Sequence, residues 1–221
     1  MPRYFVQSIE RIPVDRWHGL TDFLSSMQYW SEVQNALAEG GKFRSAVPLY
    51  EPPYLDGDRL VVPRGPGNAE DSEGYTDYSI LDQHDYFSIR SSGRSRGNLY
   101  SESSESWFGI FSDAGKHFLA SEVALTTRLR IPGKRLEIVT RRWKNLGLAP
   151  SWTEVAQPNP GGFVDSKTYY RSDNPTRFYI TVNPDTTTAF LLDLNWRDLN
   201  SALSEGIPGI EHVQMPKFSD D

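Results

Sequence analysis

Between Trp17 and Leu37 the large apolar side chains fall three or four residues apart: Trp17, Leu20, Leu24, Met27, Trp30, Val33 and Leu37. That spacing lines up one face of a helix. It is the clearest helical pattern in the chain, and it limits what the remainder can be. Gly19 and Thr21-Asp22 divide it into a turn and a main helix starting near Thr21, and Gly40-Gly41 stops it as a helix C-terminus expects. Before it, residues 3–12 alternate well enough for a strand, with Tyr4, Val6 and Ser8 on one face and Phe5, Gln7 and Ile9 on the other, closed by Pro13.

After Gly41 the period changes. Residues 44–85 hold Pro48, Pro52, Pro53, Pro63 and Pro66 together with Gly57, Gly65, Gly67 and Gly74, around one short apolar run at Leu60-Val61-Val62. Proline removes ladder donors and glycine weakens strand interiors, so this irregular, acidic segment predicts no long regular element, and Gly65–Asp77 reads as an exposed loop. From Tyr86 onward the pattern is that of strands: Tyr86–Arg90, Asn98–Ser101, Ser106–Ser112, Phe118–Ile131, Arg135–Arg142 and Gly162–Tyr170. Two hairpin signals follow. Ile131-Pro132-Gly133-Lys134 joins two of these runs, and Asn183-Pro184-Asp185-Thr186 joins Arg177–Val182 to Thr187–Leu194. A second helix is predicted over about Leu194–Glu205, capped by Asp193 or Asn195, with Trp196, Leu199 and Leu203 inward and Gly206 as its stop. Strands joined by tight turns rather than crossover helices predict an α+β fold: mainly antiparallel β-sheet with an N-terminal and a C-terminal helix packed on it. The expectation is a single domain over 1–221.

A chain of 221 residues buries enough surface to need no metal or disulfide staple. With no cysteine, thiol nucleophiles, thiolate zinc sites and iron–sulfur clusters are excluded. The first twenty residues contain no apolar run of signal-peptide length and no segment is apolar enough to span a membrane, so a cytoplasmic location and no membrane partner are the default expectations. A net charge of −6 argues against non-specific nucleic-acid binding by the chain as a whole, although Trp143 and Trp152 beside basic residues keep nucleic acid open as a partner.

Two clusters stand out as candidate binding elements. Residues 88–106 are rich in serine, glycine and arginine, and Arg90, Arg94, Arg96 and Ser95 are the kind of donors a phosphate or carboxylate needs. The competing reading is a solvated hairpin tip. The second cluster is a basic hairpin: Arg128, Arg130, Lys134, Arg135, Arg141, Arg142 and Lys144 are opposed only by Glu137. Because residues 51–113 are rich in carboxylates, the molecule is expected to be electrically polarised, which favours self-association or an acidic partner at the hairpin. Against this stands a strand pair whose outward arginines serve solubility. Tyr50, Pro52, Pro53 and Tyr54 form an aromatic–proline stretch suited to docking on another protein.

Familiar catalytic and cofactor motifs are missing. His18, His84, His117 and His212 show no metal-binding spacing, and neither a Walker lysine, a GxGxxG after a strand nor a GxSxG elbow is present. Asp56/Asp58 and Glu70/Asp71/Glu73 do not match an EF-hand. Trp17-His18-Gly19 and Gly97-Asn98-Leu99-Tyr100, followed by Ser104 and Ser106, resemble the His and Tyr segments of ADP-ribosyltransferases of the poly-ADP-ribose polymerase kind. That resemblance implies NAD as substrate, with His18 and Tyr100 lining a nicotinamide pocket. The glutamate of that family has only nominal counterparts here in Glu102, Glu105 and Glu122. Weighing these, the chain is expected to be a non-enzymatic interaction or assembly protein, for instance a structural or accessory component of a larger particle, with no cofactor and no metal. The alternatives are a nucleotide- or NAD-using enzyme with a Ser/Arg/Gly anion loop, and a carbohydrate- or nucleic-acid-binding module.

Overall fold

A computed structural model describes residues 16–68, 74–133, 140–155, 166–182 and 185–219. The predicted strand over residues 3–12, as well as Glu70, Asp71, Glu73, Lys134 and Arg135, lies outside the described residues. The long helix forms as expected, as α1 (Leu20–Glu39), entered through Gly19 at φ 87° and left through Gly40 and Gly41. Its buried face carries Phe23, Met27, Trp30, Val33 and Leu37.

Among the described residues the sheet has eight strands: β1 (Tyr54–Asp56), β2 (Arg59–Val62), β3 (Gly74–Asp82), β4 (Phe87–Ser95), β5 (Asn98–Phe108), β6 (Trp152–Val155), β7 (Lys167–Arg171) and β8 (Asn174–Thr181). They lie in the order β1-β2-β3-β4-β5-β8-β7-β6, and every neighbouring pair is antiparallel. The Pro/Gly-rich segment thus supplies more regular structure than expected. Its first two strands are short, but β3 is nine residues long and runs through Gly74–Asp77, part of the predicted loop. The serine-rich stretch is a long hairpin. Its two-residue turn, Arg96-Gly97, has φ of 49° and 83°, the positive pair that matches the twist of adjoining strands.

The largest correction concerns Phe118–Ile131, which is helical. It belongs to one continuous run: α2 (Phe111–Phe118), a π-helical turn (Leu119–Ala124) and α3 (Leu125–Leu129). Phe111, Ala114, Phe118, Leu119, Val123 and Thr127 are all buried along it, at spacings that suit helix packing. Strand β5 accordingly ends at Phe108, and Phe111 and Ser112 open the helix. Likewise, the described part of the predicted strand 135–142 belongs to α4 (Thr140–Trp143), so neither described flank of the predicted basic hairpin is a strand. The predicted strand Thr187–Leu194 is α5 (Thr187–Asp193). There the Asp185 carboxylate accepts from Thr187 N at 2.8 Å and from the hydroxyls of Thr187 and Thr188 at 2.6 and 2.7 Å. Such local bonds start a helix rather than a strand. The C-terminal helix α6 (Trp196–Ser204) forms as expected, with Asn195 accepting from Asp198 N at 2.7 Å.

Helix α2 packs on the sheet face that bears Tyr78, Phe87 and Phe108, through edge contacts of Phe87 with Phe111 and of Tyr78 with Phe118. On its other side Phe23 meets Phe111, Phe118 and Trp196, which ties α1 and α6 to the same core. Between α1 and α6 lies a buried polar bridge. Trp30 Nε1 donates to Asn200 Oδ1 at 2.9 Å, while Asn200 Nδ2 donates to Ser26 Oγ and to Trp196 O, both at 2.8 Å. Replacing Asn200 by Leu leaves the indole N–H without its acceptor. We expect a loss of about 1–3 kcal/mol in urea unfolding. In a double-mutant cycle with Trp30→Phe the losses should be non-additive by more than about 0.5 kcal/mol; additivity would show that the bridge does not operate as a unit.

Candidate functional site

The helical run and the sheet enclose a groove with two polar cavities that share Tyr78. In the first, of about 310 Å³, β3, β4 and β5 present Tyr78, Ser91, Ser103 and Ser106, while the helical side presents His117, Ser121 and Glu122, with Asp185 at the rim. In the second, of about 450 Å³, Thr76, Tyr78, Arg94 and Ser95 face Thr126 and Arg130, with Tyr50 and Asn68 completing the wall.

The π-turn makes this possible. Its i→i+5 bonding widens the helix locally, so Ser121 and Glu122, four and five residues beyond His117, reach the same cavity. The sheet side follows from register. Tyr78 pairs with Ser91 and Ser91 with Ser103, whereas Ile89 pairs with Ser106 and Ser106 with Thr181. Under α2 the same sheet face carries Phe87 and Phe108; beyond the helices it turns into hydroxyls. Gly93 is required on that wall. A Cβ there would sit 2.1 Å from Tyr75 O and 3.0 Å from the Tyr100 hydroxyl.

Many of the polar groups that line the first cavity already serve the fold. Asp185 holds the start of α5, Ser121 donates to His117 O at 2.9 Å, and the Ser91 and Ser103 hydroxyls lie 3.3 Å apart. The Tyr78 phenol is pushed up strongly by burial and then by the nearby Glu122 carboxylate, and burial likewise raises Tyr50. Both remain neutral at any pH the fold meets. The His117 ring packs on Phe108 at a centroid distance of 5.1 Å. Burial pulls its imidazole down to about 4, against an opposing pull from Asp185. A histidine that stays neutral at pH 7 does not supply a cation to the groove. Among the described residues no three histidine, aspartate or glutamate side chains are placed to hold a metal ion.

The candidate anion residues separate. Arg94 and Ser95 line the larger cavity. Arg96 sits in the hairpin turn, and Arg90, whose Nε donates to Ser88 Oγ at 3.1 Å, pairs across strands with Ser79 and Ser104, away from the groove. The basic cluster also divides. Arg128 is buried and donates to Leu203 O and Glu205 O, at 2.7 and 2.5 Å from one guanidinium nitrogen. Arg130 enters the groove, held by Ser45 Oγ at 2.8 Å, Asn68 Oδ1 at 2.6 Å and Gly67 O. Arg141, Arg142 and Lys144 stay exposed at α4, with Arg142 bound to Glu205 at 3.0 and 3.2 Å. Of the two docking tyrosines, Tyr50 is buried in the groove and Tyr54 is 53% exposed on the edge strand β1. His18 and Tyr100 are not brought together. The turn holding His18 and Gly19 abuts Ser112, just past the end of β5, whereas Tyr100 lies eight residues back along that strand, roughly 25 Å at ~3.3 Å per residue. Tyr78, Thr126 and Glu122 carry no motif, and only the fold assembles them. No protein-family model, curated protein or solved structure matches the chain.

His117 gives the groove a pH signature. The unfolded chain takes up a proton on this ring near its ordinary 6.5, while the folded chain resists until about 4. Its contribution to stability is therefore intact above pH 6.5, declines as pH falls through that window and is gone below about 4, a total on the order of 3 kcal/mol. Urea unfolding at stepwise pH should show this slope in the native chain and lose it in His117→Phe. An identical slope in both would place the titration elsewhere.

Proposed function

We propose that this protein is a non-enzymatic binding protein that engages a protein partner through the β4–β5 hairpin and the groove beside it. The observation that carries this reading is how the side chains with reactive potential are used. Asp185 is consumed in starting a helix, Ser121 bonds its own preceding turn, Ser91 and Ser103 face one another, and the Tyr100 hydroxyl lies 2.8 Å from Thr76 Oγ1. A general base or nucleophile needs a partner that moves its proton, and these groups spend their bonds on architecture. Contact surface, by contrast, is plentiful. The hairpin ends in Leu99, 76% exposed, flanked by Arg96 and facing Arg94 across the ladder, and Tyr54 stands out on the sheet edge. An exposed apolar tip with arginines around it suits the centre of a protein contact.

A photo-crosslinking side chain at Leu99 tests this in lysate of the source cells. It should trap one product of defined mass that the same probe at Glu39, exposed on the far helix α1, does not. Adding Arg94→Glu should suppress it, while Leu99→Asp, a surface change worth less than about 0.5 kcal/mol of stability, should abolish binding of the identified partner. Equal labelling from both positions would overturn the reading. So would a catalytic turnover by the pure chain that His117→Ala removes.

A further inference from the structure

We infer that the protein partner contributes an extended segment, which adds to β5 as a further strand along residues 98–105 and sets a basic side chain into the smaller cavity. This deepens the protein-binding reading and rests on it. Strand β5 is eleven residues long, yet it pairs with β8 only through Ser106, Trp107 and Phe108, opposite Thr181, Ile180 and Tyr179. Past Thr181 the chain turns out of the sheet: the Tyr179 hydroxyl donates to Asp185 O at 3.0 Å, and Asp185 lines the smaller cavity together with His117. The sheet therefore has a notch. Residues 98–105 have β4 on one side and, among the described residues, no strand on the other.

The hairpin fixes which groups face the notch. Arg96-Gly97 is a two-residue turn, so the flanking pair Ser95–Asn98 is the bonded one and the next pair, Arg94–Leu99, is not. The Leu99 N–H and C=O accordingly point away from β4, on a residue that is exposed. Glu102 and Ser103, further along, are exposed as well. A row of outward backbone groups is a template on which an extended chain completes the ladder. Cross-strand neighbours share a face. Ser103 lines the smaller cavity, so the incoming residue opposite Ser103 points into it. That cavity, of about 310 Å³, has two carboxylates in its lining, Glu122 and Asp185, and no lysine or arginine among its described residues. The undescribed pair beside it, Asn183-Pro184, carries no charge. Against its burial, the bonds from Thr187 and Thr188 hold the Asp185 carboxyl below its ordinary range, and His117, kept neutral by burial, brings no cation of its own. A lysine or arginine on the incoming strand meets an ionised carboxylate there, the setting for a charge-assisted bond.

The probe is a displayed library of random peptides of about twelve residues, long enough to span the notch, selected on the pure chain; the strongest binder is then made synthetically. It should carry a lysine or arginine, and its binding should slow hydrogen exchange of the Leu99 amide. Leu99→Ala keeps that N–H and Leu99→Pro removes it, so the proline variant should bind about tenfold more weakly than the alanine one. N-methylating alternate peptide amides leaves the protein untouched and should abolish binding in one phase only. Changing the peptide's basic residue to glutamine should weaken binding by about tenfold. The inference is overturned if no peptide is selected, if the Leu99 amide exchanges as before, or if both methylation phases bind equally well. A dimer of the pure chain with a protected Leu99 amide would assign the edge to a second copy and overturn it too. If the photo-crosslinker at Leu99 traps a partner that leaves the neighbouring β5 amides unprotected, the added strand fails while the protein-binding reading stands.

Discussion

The helical run from Phe111 to Leu129 meets the rest of the molecule on three sides, and each side needs the others in register. Phe111, Ala114 and Phe118 press into the aromatic core against Phe23, Phe87 and Trp196, where Gly115 lets α1 and α6 approach: a Cβ at that position would lie 3.0 Å from Phe23 and 3.2 Å from Trp196. His117, Ser121, Glu122 and Thr126 turn toward the groove. Lys116 and Arg128 point the third way, to the ends of other helices. An ordinary α-helix drifts 100° per residue, so one straight rod would not keep all three faces aligned over this length. The π-turn at Leu119–Ala124 resets the phase between the two halves, and such turns recur where a helix serves a site.

The buried cations show why charge could not be read from composition alone. Arginine and lysine read as surface charge, yet three such side chains, only one of them from the basic cluster, donate to main-chain carbonyls. Lys116 Nζ donates to Leu194 O at 2.6 Å and Leu192 O at 3.3 Å, beside the end of α5. Arg128 does the same at the end of α6. Arg177 also reaches Leu192 O, at 2.9 Å, while its fork holds the fully buried Asp113 at 2.7 and 3.0 Å. Helix C-termini expose unsatisfied carbonyls and a partial negative charge, and a cation with several acceptors offsets much of its own desolvation there. Among the described residues, positive charge does stay near the surface at α4, at the hairpin, and at Lys42, Arg44, Arg197 and Lys217.

How much of this was legible in the sequence follows from contrast in the pattern. Helices α1 and α6 have one apolar and one polar face and a clear stop or cap, so both were predictable, and so was the antiparallel, α+β character of the whole. The segments 118–129 and 187–193 read as strands because residue types that favour turns, Pro132-Gly133 and Asn183-Pro184, sit between runs that look strand-like. Turn chemistry says where the chain reverses, not what it connects. The hairpin β4–β5 shows in the sequence only as fragments, for a different reason. Period-two reading depends on one face being apolar, and here Ser91, Ser103 and Ser106 on one face alternate with Ser88, Arg90 and Ser104 on the other. Arg94 and Ser95 could be singled out as anion donors. Their assembly with Arg130, Tyr50 and Asn68, brought in from three distant segments, is a property of the fold alone.

Both walls of the groove are held rigid by the fold. Its sheet wall is locked by ladder bonds, by the close approach at Gly93 and by hydroxyls bonded along the wall, and its helical wall is held by the core beneath it. Catalysis concentrates donors on a charge that develops during reaction and leaves at least one base free to accept a proton. Recognition asks instead for a fixed array of neutral donors with a few pre-oriented cations, because ordering flexible side chains at the moment of contact costs affinity. Under the binding function proposed above, Arg130, tied by three acceptors, and Tyr50 and Tyr78, kept neutral by burial, would serve the second requirement. The same burial that makes His117 unsuitable as a cation at pH 7 also makes it a stiff part of the wall.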